Sequence, residues 1–143
     1  FDPIHVGHIQ YLAHARRLGD RLVVIINSDE QAVLKKGRPF MTLRERMEIV
    51  RNLRTVDHIF PSVDQDLSVC RSIGAVVRQY ADPFRGTRFV FAKGGDRFST
   101  NIPELTLCQE LGIDIIDGLG EKIQSSSALT GLGAYPVSNR ELC

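Results

Sequence analysis

A doubly wound, parallel α/β domain is the architecture this 143-residue chain predicts, and three observations carry the expectation. Short apolar runs rich in β-branched residues recur along the chain, stretches of about 10–15 residues with helical periodicity separate them, and polar or glycine-containing turns close each run. Runs apolar on both faces suit a parallel sheet covered by helices on both sides. Ligands of such sheets sit outside the carboxyl ends of the strands, so the strand ends are where function is sought.

Taken in order, the chain opens on Phe1-Asp2-Pro3-Ile4-His5-Val6-Gly7-His8, which reads as a functional loop. A strand is therefore expected to precede Phe1, outside this sequence. Over residues 7–18, Ile9, Leu12 and Ala13 form one stripe with Tyr11, Ala15 and Leu18 beside it, predicting a mostly buried helix that Gly19 ends in a left-handed cap. Residues 21–26 read as a buried strand that stops at Asn27-Ser28-Asp29. Asn27 and Asp29 stand where binding residues belong, and a turn or helix cap explains either one equally well. Lys35-Lys36-Gly37-Arg38-Pro39 is a basic loop that Pro39 keeps from being regular helix.

Thr42 and Glu45 have capping-box spacing, and Leu43, Met47, Val50 and Leu53 follow at helical intervals. Arg44 and Arg46 fall near the start of that helix, where a cation opposes the dipole unless an anion is close. Residues 56–60 predict a strand ended by Pro61, and Leu67, Cys70, Ile73, Val77 and Ala81 mark an amphipathic helix. Asp64 and Asp66 near its start read as caps rather than catalysts. Residues 88–92 predict a strand running into Lys93-Gly94-Gly95-Asp96, a turn that brings backbone groups, a cation and a carboxylate to the sheet edge. Asn101, Pro103 and Glu104 open another helix, which Gly112 stops, and residues 113–116 form a last strand before a turn at Gly118 and Gly120. Ser125, Ser126 and Ser127 either open a final helix and donate to phosphate, or are an N-cap and polar loop. Residues 1–132 form the domain, and 133–143, without periodicity, a C-terminal tail.

Composition excludes more than it suggests. With 18 Lys+Arg against 17 Asp+Glu, the net charge of +1 makes no whole-molecule case for nucleic acid, and no nucleic-acid partner is expected. Cys70, Cys108 and Cys143 are far apart and form no Cys-x-x-Cys pair, which argues against a disulfide framework and for a reducing, cytoplasmic setting. No run approaches the ~18 apolar residues of a membrane span. Neither a Walker phosphate loop nor a Gly-x-Gly-x-x-Gly fingerprint occurs, which disfavours a P-loop NTPase or dehydrogenase.

The strongest local signal is His5 and His8 bracketing Gly7 where a helix begins. Both imidazoles reach an anion held at the helix's amino end, where unpaired N–H groups favour negative charge. His14, mid-helix, and His58, in a strand, read as packed or surface residues.

The opening octapeptide resembles the signature of the nucleotidylyltransferase superfamily, a Phe-Asp pair followed by His-x-Gly-His, and Ser125-Ser126-Ser127 resembles its second signature. The likeness runs to about Leu129 and takes in Asn27-Ser28-Asp29, the loop lysines, Arg44-Glu45-Arg46-Met47 and Lys93-Gly94-Gly95-Asp96. Within the superfamily these motifs are most similar to the adenylyltransferase domain of bacterial heptose-1-phosphate enzymes, with glycerol-3-phosphate and ethanolamine-phosphate cytidylyltransferases the alternative. The Arg-Thr-Glu-Gly of the latter is replaced by Gly120-Glu121-Lys122-Ile123, which weakens the cytidylyl reading, with Lys122 a partial substitute.

The resemblance implies a Rossmann-like fold of the HUP type and attack by an acceptor phosphate on the α-phosphate of a nucleoside triphosphate, ATP or CTP, with release of pyrophosphate. By the same implication His5, His8, Lys35 and Arg46 are catalytic, clamping phosphate charge. Phe1, Asp2, Lys93, Gly94, Gly95, Asp96, Ser125, Ser126 and Ser127 bind the nucleotide, while Asn27 and Asp29 bind the substrate; Asp2 and Asp29 face the acceptor or its metal. Mg2+ travels with the nucleotide and no protein metal site is expected. The partners are the triphosphate and a small phosphorylated acceptor, and a homodimer is expected. An alternative of another class is a nucleotide-binding regulatory module without turnover.

Overall fold

The computed structural model describes residues 1–94 and 103–119. The expectations for Gly95, Asp96, Asn101, Gly120, Lys122, Ser125, Ser126, Ser127 and the tail fall outside the described residues.

Helices and strands alternate: α1 (Val6–Arg16), β1 (Val23–Ile26), α2 (Asp29–Lys36), α3 (Leu43–Arg51), β2 (His58–Pro61), α4 (Cys70–Tyr80), β3 (Val90–Gly94), α5 (Glu104–Leu111) and β4 (Asp114–Leu119). β1 pairs with β2 in parallel, Val23 opposite His58 and Ile26 opposite Pro61. β3 pairs with β4 in parallel, Val90 opposite Asp114, with an irregularity between Ala92 and Gly94. Each pair is joined through helices, as parallel neighbours require.

Alternation along β1 explains the layering. Val24 and Ile26 pack with Tyr11, Leu12 and Ala15 of α1 and Val50 of α3. Ile25, pointing the other way, packs with Val69, Ile73, Val76, Phe91, Cys108 and Ile113. A strand buried on both faces is what its unbroken apolar run encodes, and each such side chain contributes about 1.5–3 kcal/mol on burial. Tyr11 ties the layers together by donating its hydroxyl to the Ala92 carbonyl at 2.9 Å.

Several expectations need correction. The buried face of α1 is His8, Tyr11, Leu12 and Ala15, whereas Ile9 is 46% exposed; the helix is half-buried rather than mostly buried. It stops at Arg17 in an ordinary right-handed conformation, so Gly19 is no left-handed cap and instead accepts a hydrogen bond from Arg16 through its carbonyl. Lys35 and Lys36 belong to the last turn of α2, a helix with no apolar stripe to announce it, and Gly37 at φ 84° is its cap. Leu67 lies exposed before α4, and Gly118 lies within β4. The Thr42–Glu45 capping box of α3 and the left-handed Gly112 after α5 are as expected.

Candidate active site

The site is assembled from three local devices. At the first, His5 is the extended N-cap of α1, and the Gly7 N–H donates to its Nδ1 at 3.1 Å. The His5 N–H in turn donates to Nδ1 of His8 at 3.2 Å, a reciprocal capping box built from two imidazoles. Their ring centroids are 3.9 Å apart, and the Phe1 ring lies 4.8 Å from that of His8. His8 is buried because it heads the inward stripe of α1.

The second device is a carboxylate clamp. Asp2, buried, accepts from the Phe40 N–H at 2.7 Å and the Met41 N–H at 2.5 Å, while its own carbonyl takes a bond from Lys36 Nζ at 2.6 Å. The α2–α3 loop is thereby fastened to the segment carrying the histidines. Asp2, expected to bind the nucleotide and to face the acceptor or its metal, gives each carboxylate oxygen to one loop amide.

The third centres on Arg46, whose position in the first turn of α3 demanded a nearby anion. The anion is Asp29, which accepts from Arg46 Nη2 at 2.8 Å and from the Leu43 N–H at 2.8 Å. Arg46 also donates Nη1 to the Asn27 carbonyl at 2.6 Å and Nε to the Met41 carbonyl at 3.0 Å, and only 2% of its surface is exposed. Its guanidinium thus joins the end of β1, the start of α2 and the start of α3. Both Arg46 and Asp29, expected to touch phosphate and acceptor, are bound to one another and to the frame.

Phe1, Asp2, Asn27, Ala32, Lys35, Lys36 and Arg46 line a cleft of roughly 390 Å³, mouth included. The lysines sit at the carboxyl end of α2, opposite the acidic Asp29 and Glu30 of its first turn, an arrangement the dipole favours at both ends. Asn27 Oδ1 is buried without a hydrogen-bond partner among the described residues. Phe1 borders both cleft and His8, so the imidazoles and the lysine-lined cleft are neighbours. Lys93 is buried at the end of β3, directly after the Ala92 carbonyl that anchors Tyr11 of α1. By sequence Lys36 belongs to a basic loop; its place beside Lys35 on the cleft follows from a helix that the sequence pattern conceals.

Four described titratable groups away from the cleft, Asp64, Asp66, Cys70 and Cys108, belong to the frame around α4 and α5. Asp64 accepts from the Arg71 and Ser72 N–H groups and caps α4, and a hydrogen bond from the Ser68 hydroxyl lowers the Asp66 carboxyl below its ordinary value. Burial pushes the Cys70 thiol up and the Cys108 thiol up to about 11, which leaves both poor nucleophiles. His14 and His58 are exposed.

With this geometry in place, comparison with known proteins is decisive for family. The cytidylyltransferase-like family model matches residues 1–122. The chain belongs to that family. It carries a nucleotidyltransferase domain, and the family's Rossmann-like fold accounts for the parallel pairs and their helical crossovers. Among curated relatives, the bifunctional protein HldE of Haemophilus influenzae (strain PittEE) is 37% identical over 106 residues, 67% of this chain and 22% of that protein. The bifunctional protein HldE of Hydrogenovibrio crunogenus is 38% identical over 104 residues, again 67% and 22%. The matched part is thus less than a quarter of the length of these relatives. A solved structure, the lipopolysaccharide core biosynthesis protein from Thermoplasma volcanium GSS1, superposes with a TM-score of 0.59 at 27% identity, covering 82% of this chain and 87% of that one.

Proposed function

We propose that this domain transfers a nucleotidyl group from a nucleoside triphosphate, ATP in preference, to a sugar phosphate. The observation that carries this reading is the pair His5 and His8 at the amino end of α1, next to a cleft lined by Lys35 and Lys36, in a cytidylyltransferase-like domain. A phosphate oxygen of the acceptor attacks the α-phosphorus, the bond from that phosphorus to the β-bridging oxygen breaks, and pyrophosphate leaves with the electron pair. The protein forms no covalent bond in such a transfer; it positions the phosphates and stabilises charge.

His5 and His8 would donate hydrogen bonds to phosphate oxygens as negative charge develops at the α-phosphorus. Lys35 and Lys36 would neutralise phosphate charge in the cleft, and Ser125, Ser126 and Ser127 would take the outer phosphates. Phe1, Lys93, Gly94, Gly95 and Asp96 would border the nucleotide. Asn27 Oδ1, without a hydrogen-bond partner among the described residues, suits a hydroxyl-bearing acceptor, since a sugar hydroxyl would satisfy it. In this reading Asp2, Asp29 and Arg46 hold the walls. Among the described residues no cluster of three or more His, Cys, Asp or Glu side chains is placed to hold a metal ion. Magnesium would arrive on the triphosphate, where hard phosphate oxygens coordinate it and its charge screens theirs. A homodimer in a reducing cytoplasm completes the reading; among the described residues no helix is long and apolar enough to cross a membrane.

The supporting experiment is a pyrophosphate-release assay crossing ATP and CTP with heptose, glycerol and ethanolamine phosphates. Release with ATP and a sugar phosphate is expected. Release only with CTP and an alcohol phosphate would replace this reading by a cytidylyltransferase, and nucleotide binding without release by any pair would replace it by a regulatory module.

A further inference from the structure

The His5–His8 capping box constrains which ring nitrogen of each imidazole carries hydrogen. Nδ1 of His5 accepts the Gly7 N–H, and Nδ1 of His8 accepts the His5 N–H. A nitrogen that accepts a hydrogen bond has no proton of its own, and a neutral imidazole without hydrogen at Nδ1 has it at Nε2. An imidazolium has hydrogen on both nitrogens, so a charged ring at either position loses its capping bond. The amino end of α1 adds to this, because the helix dipole disfavours positive charge there. Ring stacking at 3.9 Å between centroids is likewise easier for two neutral rings than for two cations.

We propose that His5 and His8 hold each other as neutral Nε2–H tautomers, each imidazole fixing the end of α1 with Nδ1. The pair is then one unit, in which each Nδ1 accepts for the helix end and each ring hydrogen sits on Nε2. The tautomers and the cap stand on the two hydrogen bonds alone. The cap also gives a reason for histidine rather than lysine at both places. Lysine offers donors but no acceptor for the orphan N–H groups at the start of the helix.

Imidazole nitrogen spectra of the full chain, labelled with 15N in histidine, read the tautomers directly near neutral pH. His14→Gln and His58→Gln variants remove the signals of the two exposed histidines. The expected result is two remaining rings with hydrogen at Nε2 and none at Nδ1; an Nδ1–H tautomer or an imidazolium at either position overturns the proposal. A pair of double variants tests the cap. His5→Ser with His8→Gln rebuilds an ordinary capping box, whereas His5→Ala with His8→Ala removes it. The Ser/Gln chain is expected to keep the parental melting midpoint within ~2 °C, while the Ala/Ala chain melts at least ~4 °C lower. Equal midpoints for the two double variants would overturn the capping role. Neither readout uses nucleotide turnover, so failure here is distinct from failure of the transferase reading, which would appear as unchanged pyrophosphate release in the Ser/Gln chain.

Discussion

Arg46 shows how a single residue can carry a frame. Its guanidinium meets three oxygens from three segments, a fork geometry that a lysine ammonium cannot reproduce. Asp29 is 42% exposed and so its share of the pair is screened, but Arg46 at 2% exposure is not. Arg46→Lys is therefore expected to cost about 2 kcal/mol in urea unfolding. An unchanged unfolding midpoint would show that the guanidinium is dispensable. A second prediction concerns Cys108. Its thiol is raised from 9.0 to about 11 by burial, so the native state retains a proton that the unfolded chain releases. This contribution is fully present below pH 9 and is lost as pH rises toward about 11. Cys108→Ser should flatten that alkaline decline of stability, measured as urea midpoint against pH.

At the scale of elements, the α2–α3 loop is the part whose placement matters most, and Asp2 holds it by two amides and a lysine. Asp2→Asn retains one acceptor oxygen and should speed hydrogen exchange at the Phe40 and Met41 amides by at least ~10-fold, the equivalent of about 1.4 kcal/mol. Unchanged exchange would mean the loop is held elsewhere. Gly112 sits at φ 68°, so Gly112→Ala should cost about 1 kcal/mol despite open space around it. The same scale shows what was legible in the sequence. Capping boxes and unbroken apolar runs predicted α3 and β1 because their signals are local, and the left-handed Gly112 after α5 was legible for the same reason. Helix α2 was hidden because only Gln31 and Ala32 are buried in it, leaving no apolar period to read. The face of α1 was misjudged because His8 and Tyr11, rather than Ile9, turn inward, a choice made by the sheet and not by the helix. The partners of Asp2, Asp29 and Arg46 lie up to 39 residues away, so chemistry could be guessed from residue type while the frame could not.

In the molecule as a whole, two apolar clusters grip the opposite faces of β1 and set its carboxyl end beside the histidine-bearing start of α1. The cleft is lined mainly from that end of β1, from α2 and from α3, and the capping imidazoles stand at its border through Phe1. On the proposed function, this junction moves a nucleotidyl group and not a terminal phosphoryl group. The direct measurement is transfer of label from ATP carrying 32P at the α- or the γ-position to a sugar phosphate, in the parent chain and in His8→Gln, where glutamine preserves the cap. Nucleotidyl transfer puts α-label in the sugar nucleotide and γ-label only in pyrophosphate, with at least ~100-fold slower transfer in His8→Gln. Appearance of γ-label on the sugar, or an undiminished rate in His8→Gln, would contradict it.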